Sequence, residues 1–212
     1  MPRLPKYVAF ILKFFGCYFG LLLLVNLSGL RHGFSQWFAE AATQRYETII
    51  PQAKASFQPV DNNKEQDISI DFINLKAYQA KLAAARAVGS NDVNIELSSS
   101  PFSTWDYFQL PFIVLLSLLL AWPQTWKRKG QSFLLGFALL GLLTWFRFHC
   151  TLWYVADHSA NLEPLPLGPS AQAFLNGWHN MQSVEFNYIS ALLIWALATL
   201  RKEDFAVKAA GQ

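Results

Sequence analysis

The sequence predicts an integral membrane protein with four transmembrane helices and a small extracytoplasmic α+β insertion between the first two. Three observations lead to this fold class. Of 212 residues, 53% are hydrophobic, 16% are aromatic and only 15% are charged, with a mean hydropathy of +0.21. Four apolar runs each approach the roughly 20 residues that a helix needs to cross a hydrocarbon core about 30 Å thick. The more polar sequence is concentrated in two segments, 31–107 and 154–183.

The first apolar run, residues 7–30, predicts an uncleaved anchor, so that 1–30 form a cytoplasmic tip and the first span. A cleavable signal peptide has an apolar region of about 7 to 15 residues followed by small residues, whereas this run is longer and lacks such an end. Gly16 and Gly20 within it have the spacing that lets two membrane helices approach closely. We therefore predict a helix-packing site there, with the neighbouring helix in this chain or in another.

The segment 31–107 predicts an amphipathic helix followed by a β-α-β-like element. Apolar residues recur with helical spacing over 34–50 and stop before a proline. Residues 67–72 and 91–97 alternate polar and apolar side chains, as half-buried strands do, and 74–88 between them have the composition of a helix. An element of about 40 residues is near the lower limit for independent folding. Its strand edges also need a neighbour, either the preceding helix or another subunit.

The rest of the chain predicts three further spans. Residues 108–153 form a hairpin of the second and third spans joined by a short basic turn, with the third running from Ser132 to about Trp153. Residues 154–183 predict an extracytoplasmic loop that contains a short amphipathic helix. Residues 184–212 predict the fourth span and a cytoplasmic tail.

Basic residues indicate the orientation. Lysines and arginines flank the spans on one side in short segments, and the loop 154–183 has none. Since such residues are enriched in cytoplasmic flanks, we predict that both termini are cytoplasmic, in a bacterial inner membrane. The net charge of +3 is divided among these flanks rather than gathered on one face, which argues against nucleic-acid binding. The flanking residues are Arg3, Lys6, Lys127, Arg128, Lys129, Arg201, Lys202 and Lys208.

Arg147 is the predicted intramembrane charge, toward the outer end of the third span. Such a charge costs on the order of 3 kcal/mol at the membrane centre and less near an end, so it needs a partner or water. One interpretation is that the side chain extends to the outer headgroups beside the aromatic belt. The other is a buried pair with Asp106, Asp157 or Glu185, and the sequence leaves both open.

Residues able to bind zinc or copper fall near the same outer surface. Their intervals match no recognised ligand pattern, so we predict no metal and no cofactor and keep a metal site as an alternative. Cys17 and Cys150 lie at different depths in separate spans, which predicts that they form no disulfide. The alternative metal ligands are His149, Asp157, His158, His179 and Glu185.

A thiol enzyme at the outer face is a second alternative. Cys150, Arg147 and a histidine, either His158 or His179, combine a nucleophile, an oxyanion-stabilising cation and a base. This set is similar in residue type and depth to the Cys, Arg and His that exosortase transpeptidases use at the outer membrane face. The resemblance implies transpeptidase-like thiol chemistry and covers these residue types alone, not the sequence around them.

The function predicted is non-enzymatic: an accessory or assembly subunit that presents its extracytoplasmic element to a membrane-complex partner. A domain too small to stand alone, strand edges that need a neighbour and a close-packing glycine pair favour it. The expected partners are the lipid bilayer and either other membrane-protein subunits or further copies of this chain. A transporter is disfavoured because the spans carry few ionisable groups and no repeat.

Overall fold

The structure, a computed structural model, describes residues 5–60, 66–89, 97–181 and 183–200. The chain is mostly helical with one small three-stranded sheet, and this much of the predicted fold class is confirmed. The elements in chain order are α1 (Lys6–Leu27), α2 (Leu30–Tyr46), β1 (Ala53–Pro59), β2 (Ile68–Asn74), α3 (Leu75–Ala87), β3 (Ser98–Phe102), a π-helical turn (Trp105–Gln109), α4 (Leu110–Ala121), α5 (Trp126–Asp157), α6 (Pro169–Asn180) and α7 (Val184–Thr199).

Two helices are long and apolar enough to cross a membrane: Tyr7–Leu27 within α1, and α5. A shorter apolar helix, Trp105–Ala121, consists of the π-helical turn and α4. Gly29 follows α1 with a φ of 70°, a left-handed conformation that commonly ends helices. The length and composition of these helices indicate membrane association.

The chain forms two compact units. Unit 1 comprises residues 1–29, 106–146 and 183–212, and unit 2 comprises 30–105 and 147–182. Helix α5 therefore contributes residues to both units.

Unit 1 is a bundle of α1, α4, α7 and the first part of α5 around an aliphatic core. Leu115 of α4, Leu140 of α5 and Ala191 of α7 are buried in this core, and aromatic side chains of α1 pack against it. The hydroxyl oxygens of Tyr18 on α1 and Tyr188 on α7 lie 3.0 Å apart and form a hydrogen bond. This hydrogen bond joins α1 directly to α7.

The turn between α4 and α5 comes earlier than predicted. Helix α4 ends at Ala121 and α5 begins at Trp126, so the basic residues assigned to the turn lie at the start of α5 instead. Lys129 Nζ donates to the carbonyl of Leu120 at 3.0 Å. The last carbonyls of a helix have no partner within it, and this lysine supplies one.

Unit 2 is built on an antiparallel sheet with the strand order β1-β2-β3. The strand predicted at 67–72 is β2. The helix predicted at 74–88 is α3, where Asn74 Oδ1 accepts hydrogen bonds from the first backbone N–H groups of the helix. The strand predicted at 91–97 lies outside the described residues except for Leu97, which is not in a strand. Two strands that the sequence analysis did not predict, β1 and β3, complete the sheet.

Helix α2 and the residue after it cover the outer edge of β1. The amide of Ala55 donates to the carbonyl of Glu47, and the amide of Phe57 donates to Thr43 Oγ1, both at 2.9 Å. Uncovered edge groups of this kind are sites for pairing with another chain. The preceding helix thus supplies the neighbour of this edge, and that helix ends at Tyr46 rather than at residue 50.

The outer end of α5 packs in the core of unit 2, although the sequence analysis assigned it to the third span. The helix continues past Trp153 to Asp157, and its 32 residues measure about 48 Å, well beyond the thickness of a hydrocarbon core. Phe148 is 2% exposed. The centroid of its ring lies 5.3 Å from that of Phe38 on α2 and 5.4 Å from that of Phe102 on β3.

A buried carboxylate joins three parts of unit 2. Asp67, immediately before β2, is 8% exposed and accepts a hydrogen bond from the backbone amide of Thr104 at 2.7 Å. The hydroxyls of Ser35 and Thr104 donate to its other oxygen. The polar network therefore ties α2, β2 and the segment after β3 together.

Candidate functional site

The predicted outer-face residues lie mainly along one side of the outer end of α5. Arg147, Cys150 and Tyr154 follow one another at intervals of three or four residues, which places them on successive turns of the same face of α5. His158 immediately follows the last residue of α5, and its amide donates to the carbonyl of Tyr154 at 3.1 Å. All four belong to unit 2. The candidate site is therefore this strip of α5 together with the residues of unit 2 that contact it.

Tyr154 brings two of the predicted histidines together. Its ring stacks on His158, with centroids 4.2 Å apart, and on His179 of α6, with centroids 3.8 Å apart and ring planes 10° apart. The Nδ1 of His158 lies 3.0 Å from the carbonyl oxygen of Tyr154 and donates to it, because a carbonyl only accepts. Tyr154 was not predicted as a site residue. Its position one helical turn before His158 is the sequence feature that could have indicated this role.

The environment of His179 favours the neutral imidazole. Burial, and secondarily the neighbouring His158, lower the pKa of His179 below its ordinary value. Its Nδ1 is buried and has no hydrogen-bond partner among the residues that the structure describes. The contact that His179 does make is the stack on Tyr154, which attaches α6 to the end of α5.

The alternative metal ligands do not converge as a set. Within the described residues, no group of three or more histidines, cysteines or carboxylates is placed to hold a metal ion. Asp157 Oδ1 accepts from the amide of Leu165 at 3.0 Å, and its Oδ2 lies 3.9 Å from His158 Nδ1. His149 packs edge-on against a tyrosine of unit 2, with centroids 5.1 Å apart. Glu185 belongs to unit 1.

The nucleophile and base of the thiol alternative are not in contact. Cys150 is 8% exposed, and His158 lies eight residues further along the chain, just past the end of α5, a rise of about 12 Å. Across the described ranges, no hydrogen bond joins the Cys150 thiol to His158 or to His179. Cys17 and Cys150 are both free thiols, as predicted.

Arg147 is enclosed by protein. Its side chain is 2% exposed, and its backbone carbonyl accepts from Thr151 Oγ1 at 3.1 Å. The residue belongs to unit 2, beside the buried ring of Phe148. A side chain extended over the surface to the headgroups would be exposed, so the first of the two interpretations offered above does not fit this structure.

The predicted helix-packing glycines lie on the outward side of α1. A Cβ added to Gly16 or Gly20 would meet no atom of a neighbouring element within 4 Å in the described part of the chain. The side chains of α1 that pack against the core of unit 1 are Phe10, Phe14 and Tyr18, on its other side. The bundle of unit 1 therefore leaves this pair of glycines unused.

Comparisons with protein-family models, with curated proteins and with solved structures find no match to this chain. Two places in the molecule could then carry a function: the strip along α5 and the outward side of α1. In the first, the potential reactive groups are buried or occupied by contacts within unit 2. The second is open.

Proposed function

We propose that this chain is a non-enzymatic accessory or assembly subunit of a bacterial inner-membrane complex, and that it binds another membrane helix along the outward side of α1. The observation that carries the proposal is a continuous open surface on this helix, which we call the glycine face. It consists of Leu12, Gly16, Gly20, Leu23 and Leu27, which repeat every three or four residues.

The composition of the glycine face suits a helix rather than lipid alone. Leu12, Leu23 and Leu27 are 59%, 60% and 83% exposed and border the shallow groove at the two glycines. In a membrane, helices associate through close packing, which small residues permit and bordering large residues extend. A helix that met only lipid would gain nothing from glycine, which costs about 1 kcal/mol of helix propensity relative to alanine.

The proposed topology has four crossings with both termini cytoplasmic. The four apolar helices of unit 1 supply the crossings, and the lysines and arginines of short segments fall at the ends that would then be cytoplasmic. Helix α7 has 16 residues, about 24 Å, which a bilayer accommodates by thinning locally. Unit 2 would then be extracytoplasmic. It does not need to pair through β1, because α2 covers the edge of that strand.

Reporter fusions test the orientation. An alkaline phosphatase fused after Gln212 is expected to be inactive, because the enzyme folds only outside the cytoplasm, whereas one inserted near Asn62 is expected to be active. A cytoplasmic reporter such as green fluorescent protein at the same two positions serves as the control and is expected to give the opposite pattern. Phosphatase activity at the C-terminal fusion would contradict the topology.

Leucine substitutions test the glycine face. The double variant Gly16→Leu, Gly20→Leu is expected to reduce recovery of the partner at least about tenfold, equivalent to about 1.4 kcal/mol, because the new side chains keep the two helices apart. The bound protein is measured by quantitative mass spectrometry after purification in mild detergent. A differently tagged copy of this chain, expressed together with the first, reports self-association.

Gly141→Leu on α5 is the matched control. Its Cβ would also meet nothing within 4 Å in the described part of the chain, so both substitutions should leave the fold intact. The melting temperature of each variant is expected to equal or exceed that of the parent, because leucine favours the helix more than glycine does. If the double variant recovers every partner and every tagged copy as the parent does, the glycine face is not the binding site.

A further inference from the structure

Helix α6 presents an apolar surface that unit 2 covers only in part: Leu175 and Trp178 are half-buried. None of its residues is buried. Ala171, Phe174, Leu175 and Trp178 recur at helical spacing on one side, and Met181 extends that side beyond the last turn. We call this side the apolar face of α6.

The most exposed side chains of the apolar face are large. Phe174 is 51% exposed and Met181 is 63% exposed. The rings of Phe174 and Trp178 stack at 6.0 Å with an angle of 19° between them, so they form one aromatic surface. His179, at the border of this face, stacks on Tyr154 and fixes how the helix is rotated.

The rest of the helix is polar but carries no lysine, arginine, aspartate or glutamate. Gln172, Asn176 and Asn180 lie on the side opposite Phe174 and Trp178. A helix of this kind has no charge with which to select an acidic or basic protein surface. Aromatic side chains on one face and uncharged polar ones on the other match the region between lipid headgroups and acyl chains.

The chain also restricts where α6 can lie. Only residues 181–183 separate its last residue, Asn180, from the first residue of α7. At about 3.5 Å for each residue, the linker allows a separation of roughly 14 Å between these two helix ends. If α7 crosses the membrane, α6 ends close to the surface at which α7 enters it.

We infer that α6 is an interfacial helix that lies on the outer surface of the membrane with its apolar face among the lipid headgroups and upper acyl chains. The inference rests on the part of the proposed function in which α7 is a span. The occupant of the face is phospholipid, and zwitterionic lipid is sufficient because the helix offers no cationic side chain.

Two alanines on opposite sides of α6 provide a matched test. Ala171 lies on the apolar face, Ala173 lies about 200° away around the helix, and both are exposed. Each is replaced by cysteine in the full chain, which is then reconstituted alone in phosphatidylcholine vesicles. A membrane-impermeant maleimide is expected to label Ala171→Cys at least about tenfold more slowly than Ala173→Cys, and the two rates should become equal in urea. The parent chain gives the background from Cys17 and Cys150.

The outcomes separate this inference from the proposed topology. Equal labelling of Ala171→Cys and Ala173→Cys in vesicles would overturn the interfacial helix. Protection of Ala171→Cys in native membranes but not in vesicles would mean that a protein covers the face, which also overturns it. Leu193→Cys on α7 is the control for the span, because Leu193 is 57% exposed in the described structure and should be protected only by lipid. Fast labelling there would show that the topology itself is wrong.

Discussion

Phe148→Ala is expected to lower the free energy of unfolding by about 3 to 5 kcal/mol, because it removes a fully packed aromatic ring and leaves a cavity. Phe148 is 2% exposed and contacts the rings of Phe38, Phe57 and Phe102 in unit 2. The measurement is chemical unfolding of the full chain in mild detergent, followed by near-ultraviolet circular dichroism, which reports the packing of aromatic rings.

Phe19→Ala is the control for Phe148→Ala. Phe19 lies on α1, is 56% exposed and stacks only on neighbouring rings of the same helix within the described residues. Its replacement is expected to cost less than about 1 kcal/mol. If Phe148 instead faced lipid at the end of a span, the two variants would lose similar amounts. That result would contradict the packing of the outer end of α5 in unit 2.

The predicted helices α3 and α6 agree with the structure because each is marked by signals in its own sequence. Helix α3 was predicted from the helical composition of 74–88 and the glycine that follows it, Gly89. The structure adds that Asn74 caps its first turn. Helix α6 was predicted from apolar residues at helical spacing alone. In both cases the information is local, so a single sequence contains it.

The sheet was predicted only in part, for two different reasons. Strand β1 alternates buried and more exposed positions from Ala53 to Phe57. This alternation is typical of a half-buried strand, so the sequence analysis could have predicted β1 but did not. Strand β3 has the sequence Ser-Ser-Ser-Pro-Phe, which contains a proline and no apolar alternation. Its place in the sheet comes from pairing with β2, a long-range interaction that local patterns do not encode.

Hydropathy did not predict the surroundings of the outer end of α5. Membrane lipid and a protein core favour the same apolar residues, so hydropathy does not distinguish a helical segment in lipid from one packed in a protein. The sequence placed Arg147 toward the outer end of the third span and left its surroundings open, whereas the structure includes it in unit 2 at 2% exposure. His158 and His179 both stack on Tyr154. This arrangement depends on how α6 packs against α5, which a single sequence does not show.

Asp67→Ala is expected to lower the free energy of unfolding by about 3 kcal/mol, because it removes the acceptor that three buried donors share. These donors are the backbone amide of Thr104 and the hydroxyls of Ser35 and Thr104. Asp67→Asn is expected to cost less, about 1 to 2 kcal/mol, because the amide oxygen still accepts and the hydroxyls can turn to accept from its NH₂ group.

Glu40→Ala is the control. Glu40 is an exposed acidic residue of α2, the helix that carries Ser35, and its replacement should cost less than about 0.5 kcal/mol. Chemical unfolding of the four proteins gives this order if the carboxylate ties α2 to the sheet. Equal stability of Asp67→Ala and Glu40→Ala would mean that the buried network does not form.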